Sequence, residues 1–345
     1  MKSDRFRLKN YVSRLTHSFF LTMMAWALSA CLSSSDCFRD DVFCAALVTD
    51  TLGIEDHGMN QDAWAGLQET KANGLADQVE YISSVDARDY LKNIAYFADR
   101  GFDLIYTSGI SLDDETLQSA DLYPDSTFVG LNQAFEESHP NLISVTFPED
   151  QMGFAAGVSA ATLTKTNIVA AVCETSGIDA MWRYCEGFRA GAKFINDQLT
   201  VAVVYRDNGD SEKLFIDEAW GYDTASDLIA RGADVVFAAG GVTGQGALKA
   251  ASEYGVYAIG AERDQTAVLG ESGLGVVTSF YGQTQVEVQE VMRMVKNGQI
   301  PENWQGSVQF VPLSPVYPPE FGTELEGLLG ALKRGEIQTN VTKSH

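Results

Sequence analysis

The sequence predicts an α/β fold of two similar lobes, each built on a parallel β-sheet. Three observations carry this prediction. The chain has 345 residues, roughly two domains at about 150 residues each. Short β-branched runs alternate with helical patterns along most of its length, as expected of parallel strands joined by right-handed crossovers. The alternation forms two series, each about the length of one α/β domain, on either side of a Gly- and Ala-rich segment, Glu149–Leu163.

In the first series, strands are expected at Phe43–Thr49, Val79–Val85, Leu104–Thr107, Thr127–Leu131 and Ile143–Thr146. Between them, Asn60–Asn73 sets Trp64 and Leu67 on one helical face, and Arg88–Asp99 groups Leu91, Ile94, Ala95 and Ala98. Ser111 followed by Asp113, Asp114 and Glu115 reads as a capped, acidic helix start that suits the macrodipole. In the second series, strands are expected at Ile168–Val172, Val201–Tyr205, Val235–Ala238, Val256–Gly260 and Val276–Ser279. Helical patterns cover Met181–Asp197, Ser211–Ala230, Thr243–Glu253 and Gln283–Lys296. A turn-rich stretch, Asn297–Gly306, precedes a strand-like Ser307–Leu313, and the helix Pro319–Arg334 closes the pattern. No repeat of solenoid period and no low-complexity tract is present.

Composition narrows the function classes. The chain is 45% hydrophobic and 21% charged, which is globular rather than disordered. Its net charge of −23 repels phosphate backbones and anionic membrane surfaces, so nucleic acid is not an expected partner. Any membrane attachment must be hydrophobic or covalent.

The N-terminal segment supplies such an attachment. Residues 1–30 carry Lys2, Arg5, Arg7, Lys9 and Arg14 against Asp4 alone, followed by the mostly apolar Ser18–Ala30. A basic start, a short apolar run and small residues at the cut form a secretory signal, too short to span a bilayer. Leu28-Ser29-Ala30-Cys31 resembles a bacterial lipobox, in which cleavage precedes a Cys whose thiol carries diacylglycerol. Three acyl chains in all exceed the two signals that stable anchoring needs. Cys31 is therefore the expected lipidation site, and residues 31–41 the tether. The remaining cysteines, Cys37, Cys44, Cys173 and Cys185, either form two disulfides in an exported protein or stay as thiols, with Cys173 and Cys185 a plausible local pair. Their spacing matches no zinc motif, and neither a metal nor a cofactor is expected.

Candidate binding residues cluster on loops after strands, where open α/β sheets hold ligands. Gly53–Gln61 places Asp56 and Asn60 there; Asn60 alternatively caps the helix it opens. Gly240–Gly246, which includes Gly241, offers free N–H groups to an anion or a hydroxyl-rich ligand, or merely packs a helix on a strand. It is neither a Walker A loop nor a dinucleotide fingerprint. Glu262 and Asp264 are two carboxylates able to grip sugar hydroxyls or to act as acid and base. No Gly-x-Ser-x-Gly elbow is present, and His57 alone lies on a strand-end loop, so no enzyme is expected.

Five ordered segments resemble the basic membrane protein family of bacterial substrate-binding lipoproteins, whose best-known branch binds purine nucleosides. They are GIEDHGMNQDAWAGL at Gly53–Leu67, FADRGFDLIYTSG at Phe97–Gly109, SVTFPEDQMGFAAG at Ser144–Gly157, EGFRAGA at Glu186–Ala192, and Gly232–Gln265 with GADVVFAAGGVTGQGAL and YAIGAERDQ. The resemblance implies two Rossmann-like lobes joined by hinge crossovers, the type I periplasmic binding protein fold. It implies an N-terminal lobe of residues 42–147 plus about 280–305, and a C-terminal lobe of 148–279 plus about 306–340. A ligand trapped between the lobes would pass to an ABC permease.

The family's binding residues carry over unevenly. Its Asp and Asn of the first loop match Asp56 and Asn60, and Ser108, next to last in the second segment, is a further expected ligand contact. Its first base-stacking aromatic falls at Met59 and its second near Asn208. Its ribose-gripping Asp becomes Glu262, another Asp becomes Asn132, and a Lys falls at Gly282. Trp182, Tyr184 or Phe280 are candidate replacement aromatics. The resemblance implies a purine nucleoside-like ligand; a flavin or other aromatic heterocycle is the alternative, as is a ligand-sensing surface lipoprotein without transport.

Overall fold

Continuous apolar runs become central strands because both faces of a parallel sheet are covered by helices. In the computed structural model, which describes residues 37–342 apart from 136 and 312, β1 (Cys44–Thr49) is buried at every residue. The same holds for β3 (Leu104–Ser108) and β4 (Thr127–Leu131). With β2 (Gln78–Ser83), β5 (Leu142–Thr146) and β11 (Asn303–Gln305) they form a six-stranded sheet in the order β11-β5-β4-β3-β1-β2, with every pair parallel. The second sheet repeats the plan. It contains β6 (Ile168–Cys173), β7 (Thr200–Tyr205), β8 (Val235–Ala239), β9 (Tyr257–Ala261), β10 (Val276–Gly282) and β12 (Val308–Val311), in the order β12-β10-β9-β8-β6-β7. Only β12 runs antiparallel there. The expected two-lobed parallel α/β architecture is the one the chain adopts.

The helices are α1 (Met59–Ala72), α2 (Tyr90–Ala98), α3 (Asp113–Leu122), α4 (Glu149–Leu163), α5 (Asp179–Ile195), α6 (Glu218–Ala230), α7 (Gly241–Glu253), α8 (Gln265–Leu269), α9 (Thr284–Lys296) and α10 (Phe321–Lys333). Glu149–Leu163, read from the sequence only as a Gly- and Ala-rich separator, is the helix α4. Its Gly153 and Gly157 face Gly187 and Gly191 of α5. A Cβ at any of the four would overlap the backbone of the opposite helix, at Tyr184, Phe188, Asp150 and Phe154 respectively. The spacing of four residues on each helix lets the two backbones approach closely along one face.

The chain passes between the sheets three times: from β5 to α4 through Phe147, from β10 to α9 through Gln283, and from β11 to β12 through Gly306. The ring of Phe147 fills the space beside Gly282 and Gly306, so a Cβ at either glycine would overlap it. The three passages thus pack around one aromatic ring.

Two departures from the sequence expectation have local causes. The helix expected over Ser211–Ala230 begins at Glu218, because Phe215 adopts a left-handed backbone (φ 63°) that ends any helix before it. The turn-rich Asn297–Gly306 contains β11, which pairs with Ser144–Thr146. Disulfides join Cys37 to Cys44 and Cys173 to Cys185. Cys31, the expected leader and the tether up to residue 36 lie outside the described residues. Among the described residues, no helix is long and apolar enough to cross a membrane.

Candidate functional site: the cleft between the lobes

In both sheets the strand order reverses beside the first strand, and the crevice this opens lies at the strands' carboxyl ends. β1 and β3 diverge there in one lobe, β6 and β8 in the other. Loops from both lobes line a cavity between them. Asp50, Asp56, Met59, Asn60, Ser108 and Asn132 line it from the first lobe; Met181, Phe215, Gly241 and Glu262 line it from the second.

Each side chain is held by its own loop. Asp56 Oδ1 accepts from the N–H groups of Gly58 (2.9 Å) and Gln61 (3.0 Å), and Oδ2 accepts from that of Asn60 (3.1 Å). Asp56 is therefore the residue that satisfies the free N–H groups opening α1, the role the sequence offered to Asn60. Asn60 instead donates through Nδ2 to Asp50 Oδ1 and the Gly53 carbonyl, both at 3.0 Å, folding the loop back on itself. Asp50 was not singled out in the sequence, although it directly follows β1.

Glu262 closes the opposite wall. Its Oε2 accepts from the N–H of Gly240 (3.0 Å) and of Gly241 (2.8 Å), at the start of α7. The glycine loop read as an open anion holder is thus filled by the chain's own carboxylate. Burial raises the carboxyls of Asp50, Asp56 and Glu262 above their usual range, against the hydrogen bonds each accepts.

Phe215 is the aromatic of the cleft, and a buried network delivers it. Arg206 Nη1 pairs with Glu174 Oε1 at 3.1 Å, with both side chains almost wholly inaccessible to solvent. Glu174 Oε2 accepts from the Phe215 N–H (2.9 Å) and from Thr243 Oγ1 (2.8 Å). The Phe215 carbonyl in turn accepts from the N–H groups of Val242 and Thr243. These contacts hold a left-handed phenylalanine in place. Three of the six non-glycine residues with positive φ among the described residues, Asn132, Phe215 and Glu262, line this cavity. Such strain gathers at functional sites.

Among the described residues that line this cavity, fully buried Ser108 carries a hydroxyl whose Oγ makes no hydrogen bond within the chain. A buried hydroxyl left unsatisfied calls for an external partner.

A second, smaller chamber adjoins the first on the crossover side and shares Met59, Asn132, Ala180, Met181 and Glu262 with it. Phe147, Glu149, Tyr184, Gly282 and Thr284 complete its walls. Gly282 has no room for a side chain, because Phe147 already occupies that space. Burial pushes the Glu149 carboxyl up to about 7, with Arg183 Nη1 at 2.8 Å opposing the shift.

Seven sequence candidates therefore meet at the cavity: Asp56, Met59, Asn60, Ser108, Asn132, Gly241 and Glu262. Three do not. Trp182 points to the outer face, where its indole N–H donates to the Thr342 carbonyl (3.0 Å) and its ring stacks on Tyr205. Asn208 lines a separate recess with Trp220 and Arg231. Asp264 caps α8 by accepting from the N–H groups of Thr266 and Ala267. Of the other replacement aromatics, Tyr184 lines the second chamber, whereas Phe280 is buried inside β10. The loop after β7 does carry an aromatic to the cleft, but at Phe215 rather than near Asn208.

The sequence profile described as "ABC transporter substrate-binding protein PnrA-like" matches residues 43–308, which span every cavity-lining residue. The chain belongs to this family. The family's members are ABC substrate-binding proteins rather than enzymes, which implies a small-molecule ligand and a permease partner. A Listeria monocytogenes protein called CD4+ T-cell-stimulating antigen is 31% identical over 79% of this chain and 81% of its own. The ABC transporter nucleoside-binding protein BmpA of Lactococcus lactis is 32% identical over 64% of each chain. In fold, an ABC transporter solute-binding protein from Aeropyrum pernix superposes with a TM-score of 0.73 over 88% of this chain and 94% of its own, at 18% identity.

Proposed function

We propose that this family member is the lipid-anchored, extracytoplasmic receptor of an ABC importer, and that it binds a purine nucleoside-like heterocycle between its lobes. The observation that carries the reading is the cavity itself. Apolar surfaces of Phe215, Met59 and Met181 suit a flat ring, while Asp50, Asp56, Glu262 and the unpartnered Ser108 suit ring N–H groups and ribose hydroxyls. Both backbone donors to Glu262 meet Oε2, which leaves Oε1 free to accept from the ligand. The likeness to the nucleoside-binding protein of Lactococcus lactis supports nucleosides as the class. The basic-then-apolar leader ending at Cys31 supports the lipid anchor.

Calorimetric titration of the purified protein with adenosine, guanosine and inosine tests the ligand. Binding of at least one at micromolar affinity or better is expected, and no heat with any of them overturns the nucleoside assignment. Cys31→Ser should abolish incorporation of labelled palmitate in cells; continued labelling overturns the anchor.

A further inference from the structure

Among the described residues, three helices begin on the main cavity, and one of them begins without a cap. The N–H groups that open α1 are satisfied by Asp56, and those of Gly240 and Gly241 at the start of α7 by Glu262. α5 differs. Ile178, at its N-cap position, offers no side-chain acceptor, and the N–H groups of Ala180 and Met181 have no hydrogen-bond partner among the described residues. The Trp182 N–H does find one, the Ile178 carbonyl at 3.0 Å. Ile178, Ala180 and Met181 all line the main cavity. Backbone N–H groups at a helix start point back along its axis, so this end presents donors to that space. The Cys173–Cys185 disulfide ties α5 to the end of β6 and fixes where those donors stand. From the opposite lobe, fully buried Ser108 lines the same cavity with its unpartnered hydroxyl. Unsatisfied polar groups from two separate elements thus line one space, and both call for a ligand.

We propose that the start of α5 holds a neutral carbonyl oxygen of the ligand, and that the protein therefore selects 6-oxopurine nucleosides over 6-aminopurine ones. This rests on the nucleoside reading above and specifies the base. A helix start also suits an anion, but Asp50, Asp56 and Glu262 line this cavity, Asp179 lies in the first turn of α5, and no Lys, Arg or His lines the space among the described residues. Like charges repel a phosphate or carboxylate there and leave a neutral oxygen as the favoured acceptor. An N–H group only donates, whereas the Ser108 hydroxyl donates or accepts, so α5 sets the direction. A 6-oxopurine turns an acceptor, O6, towards α5 and offers the adjacent N1–H to a carboxylate of the cavity. A 6-aminopurine reverses both: its amino group sets donor against donor, and its N1 has no proton to offer.

Calorimetric titration with inosine and adenosine, which differ only at this edge, tests the proposal in the wild type, Ile178→Asp and Ile178→Ala. Inosine should bind the wild type at least about tenfold tighter than adenosine. In Ile178→Asp a carboxylate caps α5 from within the chain, as the extended backbone at this position (φ −103°, ψ 116°) allows. The ratio of inosine to adenosine affinity should then fall to within about threefold of one. Ile178→Ala removes the same apolar side chain without adding an acceptor and should keep the wild-type ratio. Adenosine that matches or exceeds inosine in the wild type, a ratio unchanged in Ile178→Asp, or a ratio lost equally in Ile178→Ala overturns the proposal and leaves the nucleoside reading standing. If neither nucleoside binds the wild type, the nucleoside reading fails, and the seat on α5 is judged by the small molecule that co-purifies, identified by mass spectrometry. A carbonyl-bearing compound retained by Ile178→Ala and lost from Ile178→Asp supports the seat; any other result overturns it.

Discussion

Arg263 of the second lobe reaches across the cleft to Asp62 of the first, with Nη2 2.7 Å from Oδ1, while its Nη1 donates to Gln61 Oε1 at 2.7 Å. Both ends of the ion pair are more than four-fifths shielded from solvent. The contact exists only while the lobes are together, so it favours the closed form. Arg263→Ala should shift the ligand-free protein towards the open form and weaken binding by about 1–2 kcal/mol, roughly 5- to 30-fold. Small-angle scattering should show a larger radius of gyration for the variant; identical curves would contradict a clasp.

Ser108→Ala removes a hydroxyl that supports nothing in the ligand-free chain. Affinity should fall about 3- to 10-fold with the melting temperature unchanged. Asp56→Ala should behave differently, because it also strips three backbone N–H groups of their acceptor. A stability loss of about 1 kcal/mol is expected alongside the loss of affinity. Thermal melts and titrations of the two variants side by side separate a ligand contact from a cap.

Phe215→Ala should weaken binding about 10- to 100-fold, because the ring is the large aromatic face of the main cavity. Phe215→Tyr should retain most of the affinity. Calorimetry on both variants distinguishes lost stacking from a collapsed loop, since the Glu174 contact is made by the Phe215 backbone and persists in either.

Glu149 links stability to pH. Its carboxyl titrates at about 7 in the folded chain, against 4.5 ordinarily. Between those values the folded protein keeps a proton that the unfolded chain has released, so this group's contribution to stability declines as pH rises through that window. Glu149→Gln should match the wild type near pH 4.5 and gain on it by up to about 3 kcal/mol by pH 7. Urea midpoints at the two pH values measure the gap; a gap that does not grow with pH refutes the shifted carboxyl.

Much of this was legible in the sequence, for identifiable reasons. Buried parallel strands such as Val235–Ala239 are unbroken apolar runs, and they stand out against amphipathic helices such as Asp179–Ile195. The strand Asn303–Gln305 did not stand out: three residues paired through the backbone carry no periodicity. Asp56 and Asn60 were singled out because the loop directly joins β1 to α1, and Met59 because the family resemblance aligns a stacking aromatic there. Phe215 was missed because its position depends on Arg206, Glu174 and Thr243, which come from three separate segments and meet only in the fold. Trp182 was misassigned because helical spacing does not say which face of α5 turns outward.

The glycine-lined contact between α4 and α5 has a mechanical consequence. α4 begins at Glu149, two residues beyond Phe147, and α5 carries Ala180 and Met181 in the walls of both chambers. With four glycines bringing the two backbones together, the helices are packed without slack and should turn as one body. A torsion at Phe147 would then reach the chamber walls that α5 carries, so that a change in the angle between the lobes would also change the shape of the space they enclose.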